Sequence, residues 1–482
     1  MSKVVIIGSG LGGLSCGYIL QKNGYDVTIL EQGIQLGGCL QCFVRKGAKF
    51  ETGMHFIGSA LPGQTMDRMF NFLDINDQIK LSALDEDAYN TVSLAGSRFT
   101  FPNGRESFLD RMSSYFPEEK DALNKYVEII DRISAASSLN SLTSVGRDLA
   151  ANTEFQLRTI NDVLDELFTD EMLKNVLVGD LSLYSAEYDK TPFSQHAFIM
   201  DFYNQSAFRI AGGSDSIAFA LINNIERLGG KVLSKKKVIK VHCDDTKATG
   251  VETADEVFYP ADYVISTVHP NRLLEMLDTK LIRPAFRNRI NGIPQTAGGF
   301  AVYVKFKEDT MPYMNTNYYG YSGKSPWGCE HYTLSDWPKG FLYMHMCHED
   351  KAIWAKSGVV ISYMNMEDVI QWKGTKIGRR GEDYEALKKL HAELLINEVE
   401  KHHPGFTNCI ENYYTSTPLT YLDYTGTENG SMYGVAKDIN LGPAGRVPYR
   451  TKIPNLLLAG QNVNSHGMLG VLVGTIVTCS EL

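Results

Sequence analysis

Gly8, Gly10 and Gly13, spaced as GxGxxG, and Glu31, 18 residues beyond the last of them, are the residues best placed to do chemistry. In that spacing the first glycine permits a tight turn, the second lets backbone approach a pyrophosphate, and the third lets a helix pack closely on a strand. Free N–H groups at the helix start then serve the phosphates, while an acid at position 31 accepts hydrogen bonds from an adenosine ribose. Spacing alone is weak, because ordinary Gly-rich turns match it, so the elements around it must decide. Lys3 to Ile7 is the short apolar run of a buried parallel strand. Leu14 to Lys22 reads as a helix that Asn23-Gly24 stops, and Asp26 to Leu30 is a second apolar strand that delivers Glu31. All three agree, and the stretch predicts a Rossmann-type dinucleotide site. Glu31 would repel a 2′-phosphate, so FAD or NAD is expected rather than NADP.

A second group of candidates follows directly. Gly37-Gly38 would let the chain pass beside the same nucleotide, next to Gln32. Cys39 and Cys42 have CxxC spacing, but they follow a glycine loop rather than opening a helix after a strand, so two packed thiols are expected rather than a redox dithiol. No second CxxC or His–Cys set at ligand spacing follows, so no metal site is expected. Residues 50–58 (FETGMHFIG) place glycines around an aromatic-rich strand, as when backbone passes close to a flat ligand. Within them His55 is a weak catalytic candidate, since histidine titrates near neutrality. At the far end a buried strand, 455–459, meets Gly460, and a helix is expected from about Gly470, whose N-terminal N–H groups could stabilise negative charge.

The remainder of the chain must build a second unit. At 482 residues two or three domains are expected, and 43 % hydrophobic with 21 % charged residues describes a globular protein. A net charge of −9, with both signs interspersed, disfavours nucleic acid as a partner. No run is long and apolar enough for a membrane span, and the N-terminal run is too short for a signal peptide, so a cytoplasmic protein is expected. Amphipathic segments at 64–80, 117–138 and 158–178 predict a largely helical insertion over 60–205, with helix starts at Pro117 and at Thr159 or Asn161. Strands are predicted at 237–241, 261–267, 297–307, 341–347 and 358–364, with a hairpin in 248–260 and helices at 214–228 and 382–401.

With these pieces placed, the chain resembles the phytoene desaturase, carotenoid isomerase and retinol saturase family of FAD-dependent oxidoreductases. The resemblance is carried by residues 4–17 with Glu31, and by 36–43, 50–58, 209–221, 228–232, 417–434 and 455–474. It implies an α/β fold: a glutathione-reductase-like FAD-binding domain with an inserted substrate domain of helices and antiparallel sheet. The FAD domain is expected to be discontinuous, from 1–59, 206–290 and 436–482, and the substrate domain from 60–205 and 291–435. By the same resemblance Gly8, Gly10, Gly13, Leu14, Glu31, Gln32, Gly37, Gly38 and Val238 hold the ADP half of FAD. Met54, His55, Gly460, Gln461, Leu469, Gly470 and Val471 then lie towards the flavin. No cysteine falls in 460–474, so the FAD is expected to be non-covalent. The implied activity is saturation, desaturation or isomerisation of carbon–carbon double bonds in a hydrophobic isoprenoid, polyene or lipid, with NAD(P)H or another electron donor or acceptor and peripheral membrane contact. Flavin amine oxidation is the alternative, since tyrosines in 313–345 and 413–433 could cage a cation. A non-enzymatic lipid-binding flavoprotein is a third reading. Oligomeric state stays open.

Overall fold

The computed structural model describes residues 1–136, 154–463 and 465–482. Residues 137 and 138 of the expected helix at 117–138 lie outside them.

Five short parallel strands form the first sheet, in the order Lys231–Leu233, Asp26–Leu30, Lys3–Ile7, Tyr263–Ser266 and Leu456–Leu458. Their apolar character follows from burial on both faces. One face packs against the helices Leu11–Lys22, Asp215–Arg227 and Gly467–Cys479, with Ile6, Ile29, Leu221 and Leu472 in the shared core. A three-stranded antiparallel sheet, Val238–Cys243, Ala248–Thr253 and Phe258–Pro260, joins the core on the other face and contains the expected hairpin.

A second sheet of seven strands runs in the order Ile410–Ser416, Gly299–Phe306, Ser357–Tyr363, Gly340–His345, Asn317–Tyr321, Asn90–Leu94 and Ser97–Phe101. It is antiparallel except where Asn317–Tyr321 lies parallel to Asn90–Leu94. Side chains alternate along each strand, so Phe300, Val302 and Val304 share a core with the helix Glu382–His402, while Ala301 and Tyr303 face the other way, where the Tyr303 ring meets Phe43 and Phe50.

That arrangement corrects the expectation of a largely helical 60–205. The hairpin Asn90–Leu94/Ser97–Phe101 and the strand Leu81–Ala83 lie within it. Ala95 and Gly96, both at positive φ (50° and 82°), make the tight two-residue turn that matches strand twist. The expected helix at 64–80 is confined to Thr65–Phe72, and 158–178 divides at Phe168 into Ile160–Leu167 and Glu171–Leu177. Thr159 caps the first of these reciprocally with Asp162. The apolar stripes of these helices are core: Leu123, Tyr126, Ile130, Val163 and Leu164 are all buried.

Candidate functional site

The glycine turn is built by contact rather than by flexibility alone. Gly8 adopts φ +99° and its N–H donates to Leu30 O at 2.9 Å, which ties the turn to the neighbouring strand. A Cβ on Gly13 would lie 2.0 Å from Gly8 O, so helix and strand meet with no room for a side chain. A Cβ on Gly12 would stand 3.0 Å from Gly460 Cα, so the last strand's loop rests on the first helix. The two ends of the chain thus share one site.

Glu31 is fixed before any ligand arrives. One carboxylate oxygen accepts from Ser9 N–H (3.0 Å) and Ser9 Oγ–H (2.9 Å), the other from Gly33 N–H (2.8 Å). It lines a cavity of about 1680 Å³ together with Gly8, Gly10, Gln32, Gly38, Met54, His55, Val238, Gly460, Gln461, Leu469, Gly470 and Val471. Three expected residues stand behind that wall. Gly13 is spent on the contact with Gly8, and Gly37 (φ +111°) packs on Ala218 while its N–H donates to Ser9 Oγ. Leu14 is a correction: its side chain is fully buried in the core and its N–H already donates to Gly10 O at 3.0 Å, which leaves it nothing to offer a nucleotide.

His55 has its Nδ1 3.6 Å from the buried Glu51 carboxylate, which also accepts from Ser214 N–H at 3.0 Å. Its own carbonyl accepts from the buried Arg209 at 3.3 Å. Cys42 is buried with Sγ 3.6 Å from Ser214 Oγ, and burial followed by the nearby Glu51 charge pushes its thiol up to about 11. Cys39 faces the cavity, and its depth in the protein raises its thiol as well. Both thiols are free, but only Cys42 is packed: Cys39 is exposed towards the cavity, which corrects the expectation of two packed thiols. Among the described residues no group of three or more His, Cys, Asp or Glu side chains could hold a metal ion.

Away from the glycine turn the cavity wall is mainly apolar and aromatic. Phe198 and Tyr203 come from the helical layer, Leu342, Ile361 and Tyr363 from the large sheet, and Tyr421 and Tyr433 from the segment after it. A cluster of polar groups also reaches the lining, and nothing local in the sequence marks it. Lys437, His466, Gln195 and Ser182 all reach the cavity there. Gln195 Nε2 is 3.4 Å from His466 Nε2, the Tyr433 ring lies 4.7 Å from the imidazole, and Tyr433 O–H donates to Ser182 O at 3.1 Å. Burial first, and then the nearby Arg446 charge, lowers Lys437 to about 8; burial with the Lys437 charge lowers His466 to about 3.

The residues present fit FAD. Gly8, Gly10 and Gly38 leave main chain bare along the cavity, the helix start at Leu11 supplies unpaired N–H groups, and Glu31 offers a fixed carboxylate. The volume exceeds the 300–1,000 Å³ usual for one drug-sized ligand, so a dinucleotide and a second molecule can share it. Glu31→Ala should weaken FAD retention by about 1.5–3 kcal/mol, the worth of hydrogen bonds to a charged group. Equilibrium dialysis against FAD measures this, and unchanged affinity would remove Glu31 from the nucleotide site.

Fold and site together define a dinucleotide-binding oxidoreductase of the flavoprotein class. The chain belongs to the family described as flavin containing amine oxidoreductase, whose model matches residues 11–472. All-trans-retinol 13,14-reductase of Rattus norvegicus is 28 % identical over 535 residues, covering 99 % of this chain and 85 % of that protein. Prolycopene isomerase 1, chloroplastic, of an Oncidium hybrid cultivar is 23 % identical over 515 residues, covering 97 % and 82 %. An oxidoreductase from Methanosarcina mazei has the same fold: its crystal structure matches with a TM-score of 0.65 at 15 % identity, over 99 % of this chain and 100 % of that one. These relatives bear out the resemblance drawn from the motifs. The comparisons support the flavin and give no support to NAD(P)H.

Proposed function

We propose that the protein is an FAD-dependent oxidoreductase that adds, removes or rearranges hydrogen at carbon–carbon double bonds of a long hydrophobic molecule of the isoprenoid or polyene class. The observation that carries this reading is one cavity lined by the nucleotide glycines and also by Leu342, Ile361 and Tyr363. When bound, the flavin supplies the hydride chemistry. This chain's part is to hold the apolar chain against those side chains, fix its register and exclude water. The relatives named for retinol reduction and prolycopene isomerisation support the same substrate class. Amine oxidation is disfavoured, because the relatives named above are reductases and isomerases of polyenes rather than amine oxidases. Incubating FAD-loaded protein with all-trans-retinol, phytoene and cis-lycopene, with flavin oxidised and then reduced, tests the proposal. A product changed by two hydrogens or in double-bond geometry is expected; recovery of every polyene unchanged, with FAD retained, would reject it.

We also propose the FAD-binding unit as 1–59, 206–290 and 436–482 and the substrate unit as 60–205 and 291–435. The five parallel strands fall in the first set and the seven strands of the large sheet in the second, which supports that division. The free thiols support a cytoplasmic, reducing compartment. No helix among the described residues is long and apolar enough to cross a membrane. We propose that contact with a bilayer is peripheral; the buried helical stripes cannot supply it. Leu157 (66 % exposed) and Tyr424 (63 % exposed), both on the cavity lining, are better placed to do so. We expect weak vesicle association that survives added salt, because it rests on apolar area rather than on charge. Vesicle sedimentation checks it, and Leu157→Ser with Tyr424→Ser should abolish it; protein left wholly in the supernatant would contradict it.

A further inference from the structure

The polar pole of the cavity has more donors than the protein satisfies. His466 Nδ1, Gln195 Oε1 and Ser182 Oγ are buried without a hydrogen-bond partner, and His466 is only 8 % exposed. With Gln195 Nε2–H donating to His466 Nε2, the imidazole proton sits on Nδ1, which becomes an unused donor. Among the described residues Lys437 has neither a carboxylate nor any hydrogen-bond acceptor as partner. A buried polar atom left unpaired costs free energy. Four segments bring these groups to one place in the cavity: the turn at 181–183, the helix Phe193–Gln205, the loop at Lys437, and His466, which caps Gly467–Cys479.

We infer that Lys437, His466 and Ser182 form a subsite for a carboxylate at the end of the apolar substrate. This rests on the function proposed above and names the substrate's polar end. A carboxylate accepts from an ammonium, an imidazole N–H and a hydroxyl at once, and it neutralises a cation that otherwise stands alone. Gln195 Oε1 then accepts one of the remaining ammonium protons. A hydrocarbon would leave all four groups unpaired, and a lone hydroxyl would leave the cation without a counter-charge.

Matched polyene probes decide it. All-trans-retinoic acid and its methyl ester share one apolar chain and differ in the charge at its end. Their dissociation constants for the FAD-loaded protein can be read from quenching of intrinsic fluorescence. The acid should bind about tenfold or more tightly than the ester, as hydrogen bonds to a charged group require. Lys437→Met and Lys437→Gln should each bring the two within about twofold, while FAD affinity and the flavin spectrum stay as in the parent, and Lys437→Arg should restore most of the preference. Equal binding of acid and ester to the parent protein would overturn this inference and leave the proposed function standing. Variants that keep the preference but lose FAD would also overturn it, by giving Lys437 to the cofactor. Failure of both probes to bind would overturn this inference and the apolar-substrate reading together.

Discussion

Gly13→Ala should give a protein that is colourless and thermally weakened. The added Cβ would stand 2.0 Å from Gly8 O, a main-chain atom that cannot swing aside as the end of a side chain can. Overpacking that side chains absorb costs about 1–3 kcal/mol, so a clash with backbone should cost at least about 3 kcal/mol. It also moves the turn that must meet the pyrophosphate. Gly10→Ala separates the two effects. Gly10 has φ −66°, which any residue adopts, and the nearest atom to an added Cβ is Gly38 Cα at 4.0 Å. That variant should keep its melting temperature and lose FAD, because only the ligand competes for the space. Melting curves and FAD content of the two variants together check the prediction; a yellow, stable Gly13→Ala would contradict it.

Ile361→Trp should leave the flavin in place and remove most of the activity. Ile361 lines the cavity from the large sheet and pairs across it with Leu342, another lining residue. A larger ring there fills substrate space far from the glycine turn in sequence and touches none of the nucleotide glycines. If the substrate must then be accommodated at an overpacking cost of about 2–3 kcal/mol, kcat/KM for a polyene falls about 100-fold. Steady-state kinetics with the FAD-loaded variant measure it. Unchanged kinetics with an unchanged flavin spectrum would place the substrate elsewhere.

What could be read from the sequence was what local chemistry dictates. The turn at Gly8, the strand before it and the acid at position 31 are consecutive features whose spacing is set by one strand–helix–strand unit, and they fold as expected. The helix itself begins at Leu11 rather than Leu14, so the N–H of Leu14 already donates to Gly10 O inside it. The hairpin at 90–101 was hidden by the helical patterns on either side of it, although Ala95-Gly96 and the β-branched Thr91 and Val92 were its signal. The pole at Lys437 could not be read at all. Its burial comes from residues 182 and 195 meeting 437 and 466, a long-range contact with no periodicity. A lysine in a loop looks solvated until the fold closes over it.

On the function proposed here, flavin and apolar chain react within the one cavity. This is tested most directly by following the flavin absorbance of the FAD-loaded protein under anaerobic conditions while a polyene is added, first with the flavin oxidised and then with it chemically reduced. In one of the two states the polyene should shift or convert the flavin spectrum, and the recovered polyene should have gained or lost two hydrogens or changed double-bond geometry. A flavin that ignores polyenes in both states, while a primary amine bleaches the oxidised form, would contradict the account and return the cavity to amine oxidation.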